Sequence, residues 1–227
     1  MAQEIVGDDA WLAARESLLA KEKELTRLRD EVTAARQAMP WRRVTTDYRF
    51  EGPGGNAGLA DLFGSVSQLV VVHFMFGPGW EEGCKICSFW ADQYDAIRPH
   101  LAARDVNLVV VSRGELERLD AFRRRMGWNF PWYSSAGSSF NEDFGVSFPG
   151  KEEGTYNYRE TRVMEEQPGV SVFARGEGGE VFHTYSLYSR GLDPLNAAYQ
   201  FLDLAPRGRD EANLPFSMAW VNHHDAY

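Results

Sequence analysis

The stretch QLVVVHFMFGPGWEEGCKICSFW, residues 68–90, places both cysteines of the chain directly after a buried-strand pattern. Residues 69–76 form a continuous apolar run rich in β-branched side chains, which is typical of a strand covered on both faces. Cys84 and Cys87 follow after a loop that contains glycine and proline, and helical spacing begins with them. The stretch therefore predicts a central strand and then a helix that starts at a Cys-x-x-Cys pair.

The two cysteines stand only three positions apart. A structural disulfide stabilises mainly by closing a long loop of the unfolded chain, so a bond across so short a loop contributes little. The spacing therefore calls for a chemical explanation. Three explanations are open at this point: a redox dithiol, half of a metal site, or two inert thiols.

Composition limits the class of protein. The chain has 227 residues, 44% of them hydrophobic and 13% aromatic, which predicts a globular protein with a substantial core. Its net charge of −9 offers no attraction to nucleic acid or to an anionic membrane, and we expect neither as a partner. We see no signal-peptide pattern and no apolar stretch of the roughly 20 residues that a membrane span needs. Two cysteines without such a signal predict a reducing compartment, with the cytoplasm as the default.

Residues 8–38 have the pattern of one amphipathic helix, with Asp8 or Asp9 as the expected N-cap and Pro40 beyond its end. Its apolar positions recur at spacings of three, four and seven: Trp11, Leu12, Leu18, Leu19, Leu25, Leu28 and Val32. Two alternatives are open for this face. The helix packs against its own domain, or it forms a homodimer with a second copy.

The rest of the chain alternates between strand and helix patterns. Strands are expected at 69–76, 106–112, 170–175 and 180–186, and helices at 87–105, 114–127 and 192–204. Pro99 is expected to kink or interrupt the first of these helices. The segment 128–167 is irregular and rich in Gly, Ser and aromatic residues, which is typical of a functional loop or an insertion.

This order predicts a fold. Two strands joined by a helical crossover form a parallel pair, and the later hairpin adds an antiparallel pair. We therefore predict an α/β protein with a thioredoxin-like fold: a central mixed sheet flanked by helices, an N-terminal helical extension, and an insertion before the C-terminal hairpin. One domain would span 1–227, with the extension at 1–40, the core at 41–204 and a C-terminal tail at 205–227.

Several segments also carry a family resemblance, among them LLAKEKELTRLRDE, FMFGPGWEEGC, CSFWADQYD, RRMGWNFPWYSS, FNEDFGVSF, FHTYSLYSRGLD and the closing HHDAY. In these segments the chain, from about residue 8 to its C-terminus, resembles the DUF899 family. The members of that family are described as thioredoxin-like, predicted dithiol-disulfide oxidoreductases. The resemblance implies the same fold in one elaborated domain and a redox role for the cysteine pair.

The redox interpretation assigns a role to each cysteine. Cys84 would lie at a helix N-terminus, where free backbone N–H groups stabilise a thiolate, and would attack a disulfide. Cys87, one turn deeper, would resolve the mixed disulfide. The predicted activity is that of an enzyme, a thiol-disulfide oxidoreductase without a bound cofactor. Its partner would be a protein or a small molecule that carries a disulfide or thiol.

Other functions stay open beside it. A zinc site needs a second ligand pair, and none of the chain's histidines has the expected spacing: His73, His100, His183, His223 and His224. A thioredoxin-fold peroxidase is the alternative enzyme. Peroxiredoxins resemble one another through the motif Pro-x-x-x-Thr/Ser-x-x-Cys. Here Glu81, preceded by Trp80, stands three positions before Cys84 in place of the Thr or Ser, so the motif is absent. A non-catalytic binding or assembly protein with idle cysteines is the third alternative.

Three more residues are candidates for the site. Trp80 is expected to contact substrate beside the dithiol, with plain packing as the alternative. Pro168 precedes the hairpin strand, where thioredoxin-like proteins place a cis-proline that shapes the substrate groove, and we expect a cis bond there. His73 lies in the strand that leads to the cysteines. It is expected to be a core histidine rather than a proton-transfer group.

Overall fold

The computed structural model describes residues 3–227, and the chain divides into two compact units, 1–40 and 41–227. The first unit contains helix α1, Asp8–Gln37. Its N-cap is Gly7 rather than Asp8 or Asp9, and both carboxylates lie in the first turn, where they interact favourably with the helix dipole. No residue of α1 is buried, so the apolar positions of this helix are exposed in the single chain.

The second unit contains the strands and the remaining helices. The strands are β1 Arg42–Arg43, β2 Arg49–Gly52, β3 Gly55–Gly58, β4 Gln68–His73, β5 Val106–Ser112, β6 Trp132–Ser134, β7 Glu153–Tyr156, β8 Arg159–Arg162, β9 Gly169–Arg175 and β10 Val181–Tyr188. The helices are α2 Lys85–Ala91, α3 Tyr94–Ala102, α4 Leu116–Arg125, α5 Phe140–Asp143 and α6 Ala197–Leu202. In the described part of the chain, no helix combines the length and apolar character needed to cross a membrane.

One mixed sheet organises this unit. Its strand order is β1-β10-β9-β4-β5-β6-β2-β3, and β7 and β8 form a separate hairpin. Strand β4 is parallel to β5 on one side and antiparallel to β9 on the other. This arrangement confirms the predicted parallel pair, the antiparallel hairpin and the thioredoxin-like fold, with a central mixed sheet flanked by helices.

The two central strands, β4 and β5, have mostly apolar side chains because both of their faces are covered. Leu69, Val71 and Val109 belong to one apolar cluster. Val72 and Val110 belong to a second cluster, since successive side chains of a strand point to opposite faces of the sheet. Burying such side chains contributes about 25 cal/mol per Å² of apolar surface. The continuous β-branched runs of the sequence therefore lie at the centre of the sheet.

The helix that follows the cysteines is interrupted earlier than Pro99. Helix α2 ends at Ala91 and α3 begins at Tyr94, whereas Pro99 lies inside α3. Tertiary contacts hold the break. Asp92 Oδ1 accepts a hydrogen bond from Trp128 Nε1 at 2.9 Å, and Gln93 Oε1 accepts one from the Ala197 N–H at 3.1 Å.

The segment 128–167 is more regular than expected. Strand β6 extends the sheet parallel to β5, and β7 and β8 form an antiparallel hairpin. The short helix α5 also lies in this segment. Strand β6 has only three residues, too few for a periodic pattern to be recognised, and β8 is exposed throughout, so it has no buried face. The predicted helix at 192–204 is divided into a 3₁₀ turn, Ser189–Leu195, and α6.

The C-terminal tail, residues 205–227, is held by one carboxylate. Glu211 Oε1 accepts hydrogen bonds from the Tyr199 hydroxyl at 2.8 Å, the Met218 N–H at 2.9 Å and Trp220 Nε1 at 2.8 Å. Val221 is fully buried. These contacts fix the course of the tail over the rest of the unit.

Candidate functional site

Cys84 is the N-cap residue of α2, at the end of the loop that follows β4. Its N–H donates to Met75 O at 3.0 Å, and its carbonyl accepts from the N–H and the hydroxyl of Ser88, both at 3.0 Å. Both cysteines are free thiols. Cys84 is partly exposed and Cys87 is buried, so the predicted difference in accessibility is present.

The two thiols shift each other's pKa in opposite directions. A hydrogen bond from the Cys87 thiol lowers the pKa of Cys84 to about 7, although burial opposes this shift. The backbone N–H groups of Cys87 and Ile86 and the charge of Lys85 lower it further. The same hydrogen bond raises the pKa of Cys87, and burial adds to the rise. Cys84 is therefore the thiol that ionises first.

Gly83 fixes the position of Cys84 through a close approach to two aromatic rings. A Cβ at this position would lie 2.7 Å from ring carbons of Phe74 and Phe122, so only glycine fits. Its carbonyl oxygen accepts a hydrogen bond from His223 Nε2 at 3.0 Å. The loop before Cys84 therefore packs against the rings of Phe74 and Phe122, and a hydrogen bond from His223 connects it to the C-terminal tail.

The closing HHDAY segment makes further contacts near the cysteines. His224 Nδ1 lies 2.6 Å from Asp92 Oδ1, at the end of α2. Asp225 accepts from Arg125 Nε at 2.8 Å, and the same guanidinium pairs with Glu82. This segment therefore connects α4, the loop before Cys84 and the end of α2.

A cavity of about 560 Å³ opens beside the two cysteines, and both line it. Most of its walls are apolar and come from separate parts of the chain, including Met75, Ile86, Trp90, Val170, Leu192 and Met218. Phe216 and Met218 belong to the C-terminal tail. A volume of this size lies within the range of sites that bind small molecules.

Pro168 also lines this cavity, but its peptide bond is trans, so the predicted cis-proline is wrong. The trans form is intrinsically favoured by about 0.5–1 kcal/mol. With this trans bond, the backbone groups of Gln167 and Pro168 also have hydrogen-bond partners. Gln167 N–H donates to Val146 O at 2.8 Å, and the Tyr156 hydroxyl donates to Pro168 O at 2.8 Å.

Trp80 lies outside the lining of the cavity, as far as the described residues define it. It is half-buried in the loop before Cys84, and its carbonyl accepts from Arg118 Nη1 at 3.1 Å. Its ring packs so closely on Gly77 that a Cβ there would lie 2.9 Å from Trp80 Nε1. The structure thus brings Cys84, Cys87 and Pro168 together and places Trp80 in the packing of the loop.

His73 is a buried residue at the edge of the cavity. Burial lowers its pKa to about 3, so the ring is neutral at ordinary pH. Its Nε2 lies 2.8 Å from Ser171 Oγ, which lies 2.8 Å from Ser186 Oγ, which in turn lies 2.7 Å from His183 Nε2. His73 Nδ1 has no hydrogen-bond partner among the described residues.

Sequence reasoning missed Glu166. Its side chain is 2% exposed, accepts from Arg113 Nη1 at 3.0 Å, and accepts from Ser147 Oγ at 2.5 Å. Burial raises its pKa to about 7, against the effects of Ser147 and Arg113. In the sequence nothing distinguishes it from Glu165, which is half exposed. Only the fold separates these two neighbours.

Metal ligation has no support in the described part of the chain. Within residues 3–227, no group of three or more His, Cys, Asp or Glu side chains is arranged to hold a metal ion. His223 and His224, two of the candidate ligands, lie in the contacts of the C-terminal tail described above.

Comparison with known proteins gives a family and several structural likenesses. Over residues 1–227 the chain matches the model of a family described as "Bacterial protein of unknown function (DUF899)". No curated protein matches it.

The solved structures similar to this chain include peroxiredoxin Q from Xanthomonas campestris, with 16% identity over 69% of this chain and 95% of that one, at a TM-score of 0.48. A PrxQ mutant from Xylella fastidiosa has 13% identity over 72% and 96% of the two chains, at a TM-score of 0.47. Peroxidoxin BcpB from Mycobacterium tuberculosis has 15% identity over 70% and 95%, at a TM-score of 0.46. Because these sequence identities and TM-scores are low, any argument about activity has to rest on the site of this chain itself.

Proposed function

Because the chain belongs to the DUF899 family, whose model is described without an activity, we propose from the site of this chain, in line with the resemblance noted in its sequence, that it is a thiol-disulfide oxidoreductase. Cys84 is the attacking thiol and Cys87 the resolving thiol. The observation that carries this proposal is the contact between a partly exposed thiol whose pKa is lowered to about 7 and a buried thiol whose pKa is raised.

The lowered pKa suits the attacking role. A thiol with a pKa near 7 is about half ionised at neutral pH, and the thiolate is the nucleophile. A much lower pKa would weaken the nucleophile itself, so the best attacking thiol has a pKa near the ambient pH. Cys84 meets this condition, and the protonated Cys87 keeps its thiol until the second step.

The reaction balances without a bound cofactor. The Cys84 thiolate attacks one sulfur of a disulfide, that disulfide bond breaks, and the departing thiolate takes up a proton. Cys87 then loses its proton and attacks Cys84, which releases the second thiol and leaves a Cys84–Cys87 disulfide. The substrate is reduced, the cysteine pair is oxidised, and a thiol reductant in the surroundings returns the pair to the dithiol.

The direct test is a redox titration of the purified protein in buffers of reduced and oxidised dithiothreitol. We expect both thiols to disappear together in one two-electron transition and to return on reduction. Mass spectrometry should find the bond between Cys84 and Cys87. Independent oxidation of the two cysteines, or no reversible transition, would contradict the proposal.

Peroxide reduction is the second candidate, because a partly exposed Cys84 thiolate beside an apolar cavity is also accessible to an organic hydroperoxide. In that reaction Cys84 becomes a sulfenic acid and the hydroperoxide becomes an alcohol. A dimedone probe applied to Cys87→Ser after exposure to peroxide would detect the sulfenic acid. A non-catalytic assembly protein would give neither this product nor the redox transition.

A further inference from the structure

The cavity beside Cys84 is built largely from apolar side chains of distant segments. Met75 and Ile86 come from the loop after β4 and from α2, Met164 from the segment before β9, and Phe216 and Met218 from the C-terminal tail. Its volume of about 560 Å³ exceeds what the two sulfur atoms of a disulfide need, and leaves room for an attached organic group.

Two of these wall residues are exposed although they are large and apolar. Met164 is 58% exposed and Phe216 is 55% exposed, and they approach the cavity from different parts of the chain. Exposed apolar surface at a cavity mouth costs free energy in water, and an apolar ligand would cover it. The pair therefore points to an occupant with apolar groups.

The charged side chains of the lining are already paired. Arg190 Nε lies 3.4 Å from Asp193 Oδ2, and the same oxygen lies 2.9 Å from Arg209 Nη1. The titratable rings of the lining, His73, Tyr94 and Tyr156, are neutral at pH 7, because burial lowers the pKa of the histidine and raises the pKa of both tyrosines. Arg190 is 87% exposed, so water screens its charge, and Asp193 keeps Arg209 as its closer partner. A charged peptide-like disulfide would therefore gain little from these groups.

We propose that the cavity binds the apolar substituent of a low-molecular-weight disulfide, so that the substrate class is a small apolar disulfide rather than a protein disulfide or a charged one. This inference rests on the proposed function. The substituent occupies the space between Met164 and Phe216, and its sulfur lies at Cys84. Attack by Cys84 on the disulfide releases one small thiol. Attack by Cys87 on the resulting mixed disulfide releases the second thiol, and the cysteine pair is oxidised to a disulfide.

The kinetic test compares two disulfides of nearly equal size. Di-n-propyl disulfide and bis(2-hydroxyethyl) disulfide differ by a methyl in place of a hydroxyl at each end. The hydroxyethyl compound releases the more acidic thiol, so leaving-group chemistry alone favours it, and a preference for the propyl compound must come from binding. We expect kcat/KM at least tenfold higher for the propyl compound. It should rise about threefold for each methylene added from propyl to pentyl, since each buried methylene is favourable by a similar factor.

Variants locate the effect in the cavity. The double variant Met164→Ser, Phe216→Ser should lose about tenfold in kcat/KM for the pentyl disulfide and distinctly less for the hydroxyethyl compound, so the ratio of the two values should fall. Both side chains are half exposed, so these changes leave the core intact. Phe201→Ser with Leu204→Ser is the matched control. These apolar residues are 74% and 82% exposed, lie outside the lining, and should alter neither rate.

A binding measurement separates this inference from the proposed activity. Cys84→Ser with Cys87→Ser cannot exchange thiols, and di-n-pentyl disulfide should still quench its fluorescence saturably, because Trp90 lines the cavity. If the wild-type protein exchanges with propyl, hydroxyethyl and protein disulfides equally, the inference is wrong and the oxidoreductase stands. If no disulfide reacts but the serine variant binds the pentyl compound, the proposed function falls and the apolar site stands. Absence of saturable binding would remove the site itself.

Discussion

Gly83 O accepts a hydrogen bond from His223 Nε2 at 3.0 Å, across 140 positions of the chain. The bond joins the residue immediately before Cys84 to the C-terminal tail. The His223 ring also packs edge-on against Phe122, with 5.2 Å between the ring centres. The position of Cys84 therefore depends on a contact with the C-terminal tail.

Replacing His223 by Phe tests this dependence. The variant His223→Phe keeps a ring against Phe122 but removes the donor to Gly83 O. We expect the free energy of unfolding to fall by about 1 kcal/mol, as for the loss of one such hydrogen bond. Amide exchange of residues 81–84 should become faster. Denaturant titration and hydrogen exchange measure the two effects, with His100→Phe, at an exposed position, as the control.

Thiol reactivity should follow the shared hydrogen bond of the cysteines. Alkylation of Cys84 by iodoacetamide should rise with pH through an apparent pKa of about 7. In Cys87→Ala the largest cause of this lowering is gone, so the pKa should move up and the rate at pH 7 should fall about tenfold. Preferential labelling of Cys87 in the reduced wild-type protein would reverse the assignment.

Trapping tests the order of the two steps. Cys87→Ser should accumulate mixed disulfides at Cys84, because no second thiol is present to release the bound partner. Cys84→Ser should accumulate far fewer, since its remaining thiol is 8% exposed. Intact mass before and after reduction measures the adducts. Equal trapping by both variants would exclude the resolving role of Cys87.

The stability of the fold should depend on the buried carboxyl of Glu166. Burial raises its pKa from 4.5 to about 7, so folding favours the protonated form. This contribution is fully present below about pH 4.5 and is lost as the pH rises through 7. Relative to Glu166→Gln, the wild-type protein should lose up to about 3 kcal/mol between pH 4.5 and pH 8. Chemical unfolding at several pH values measures this difference.

Glu165→Gln is the matched control for that experiment, because its side chain is 53% exposed. It should retain the pH dependence of the wild-type protein. A wild-type profile that runs parallel to that of Glu166→Gln would mean that Glu166 has the same pKa in the folded and unfolded states.

The exposed stripe of α1 tests the homodimer hypothesis. Trp11, Leu18, Leu25 and Val32 recur every seven residues, which is the repeat of a two-stranded coiled coil. We expect light scattering to give the mass of a dimer. Leu18→Asp with Leu25→Asp should give the 25.7 kDa monomer, because charges would face each other along the seam.

The control for the dimer uses the other side of the helix. Lys23→Ser with Arg27→Ser alters residues about half a turn away from Leu25, so it should leave the mass of the dimer unchanged. A wild-type chain that remains monomeric at high concentration would rule out α1 as a dimer contact.

The centre of the fold was predictable because its patterns are local. The runs that became β4 and β5 are buried on both faces, and such strands are marked by continuous β-branched residues. The Cys-x-x-Cys pair after β4 likewise predicted a helix start at Cys84. Each of these features depends on the nature of residues within about ten positions.

The surroundings of the site were not predictable in the same way. The end of α2 depends on Asp92 meeting Trp128 and His224, which are far apart in the chain. The cavity depends on Met164 and Phe216 reaching the same place. The periodicity of apolar residues indicates which face of one helix or strand is buried. It does not indicate which residues from distant parts of the chain come into contact. Pro168 shows the related limit of analogy, because position alone does not determine the isomer of its peptide bond.

The edges of the sheet have a consequence for behaviour at high concentration. An open strand edge is a template on which another chain can add, and fibres grow in this way. Here the outermost strands are β1, two residues that are both arginine, and β3, four residues with glycine at each end. Neither offers a long apolar row of free backbone groups.

Strand β10 extends beyond β1, and this part of the strand is irregular and partly covered. Its pairing with β9 shifts register between His183 and Tyr185. The Tyr158 hydroxyl donates to the carbonyl of Ser186 at 2.9 Å. An added strand would have to displace that bond and cross the irregularity. The folded unit should therefore withstand crowding without forming cross-β fibres, and an amyloid dye should stay dark in solutions that remain folded.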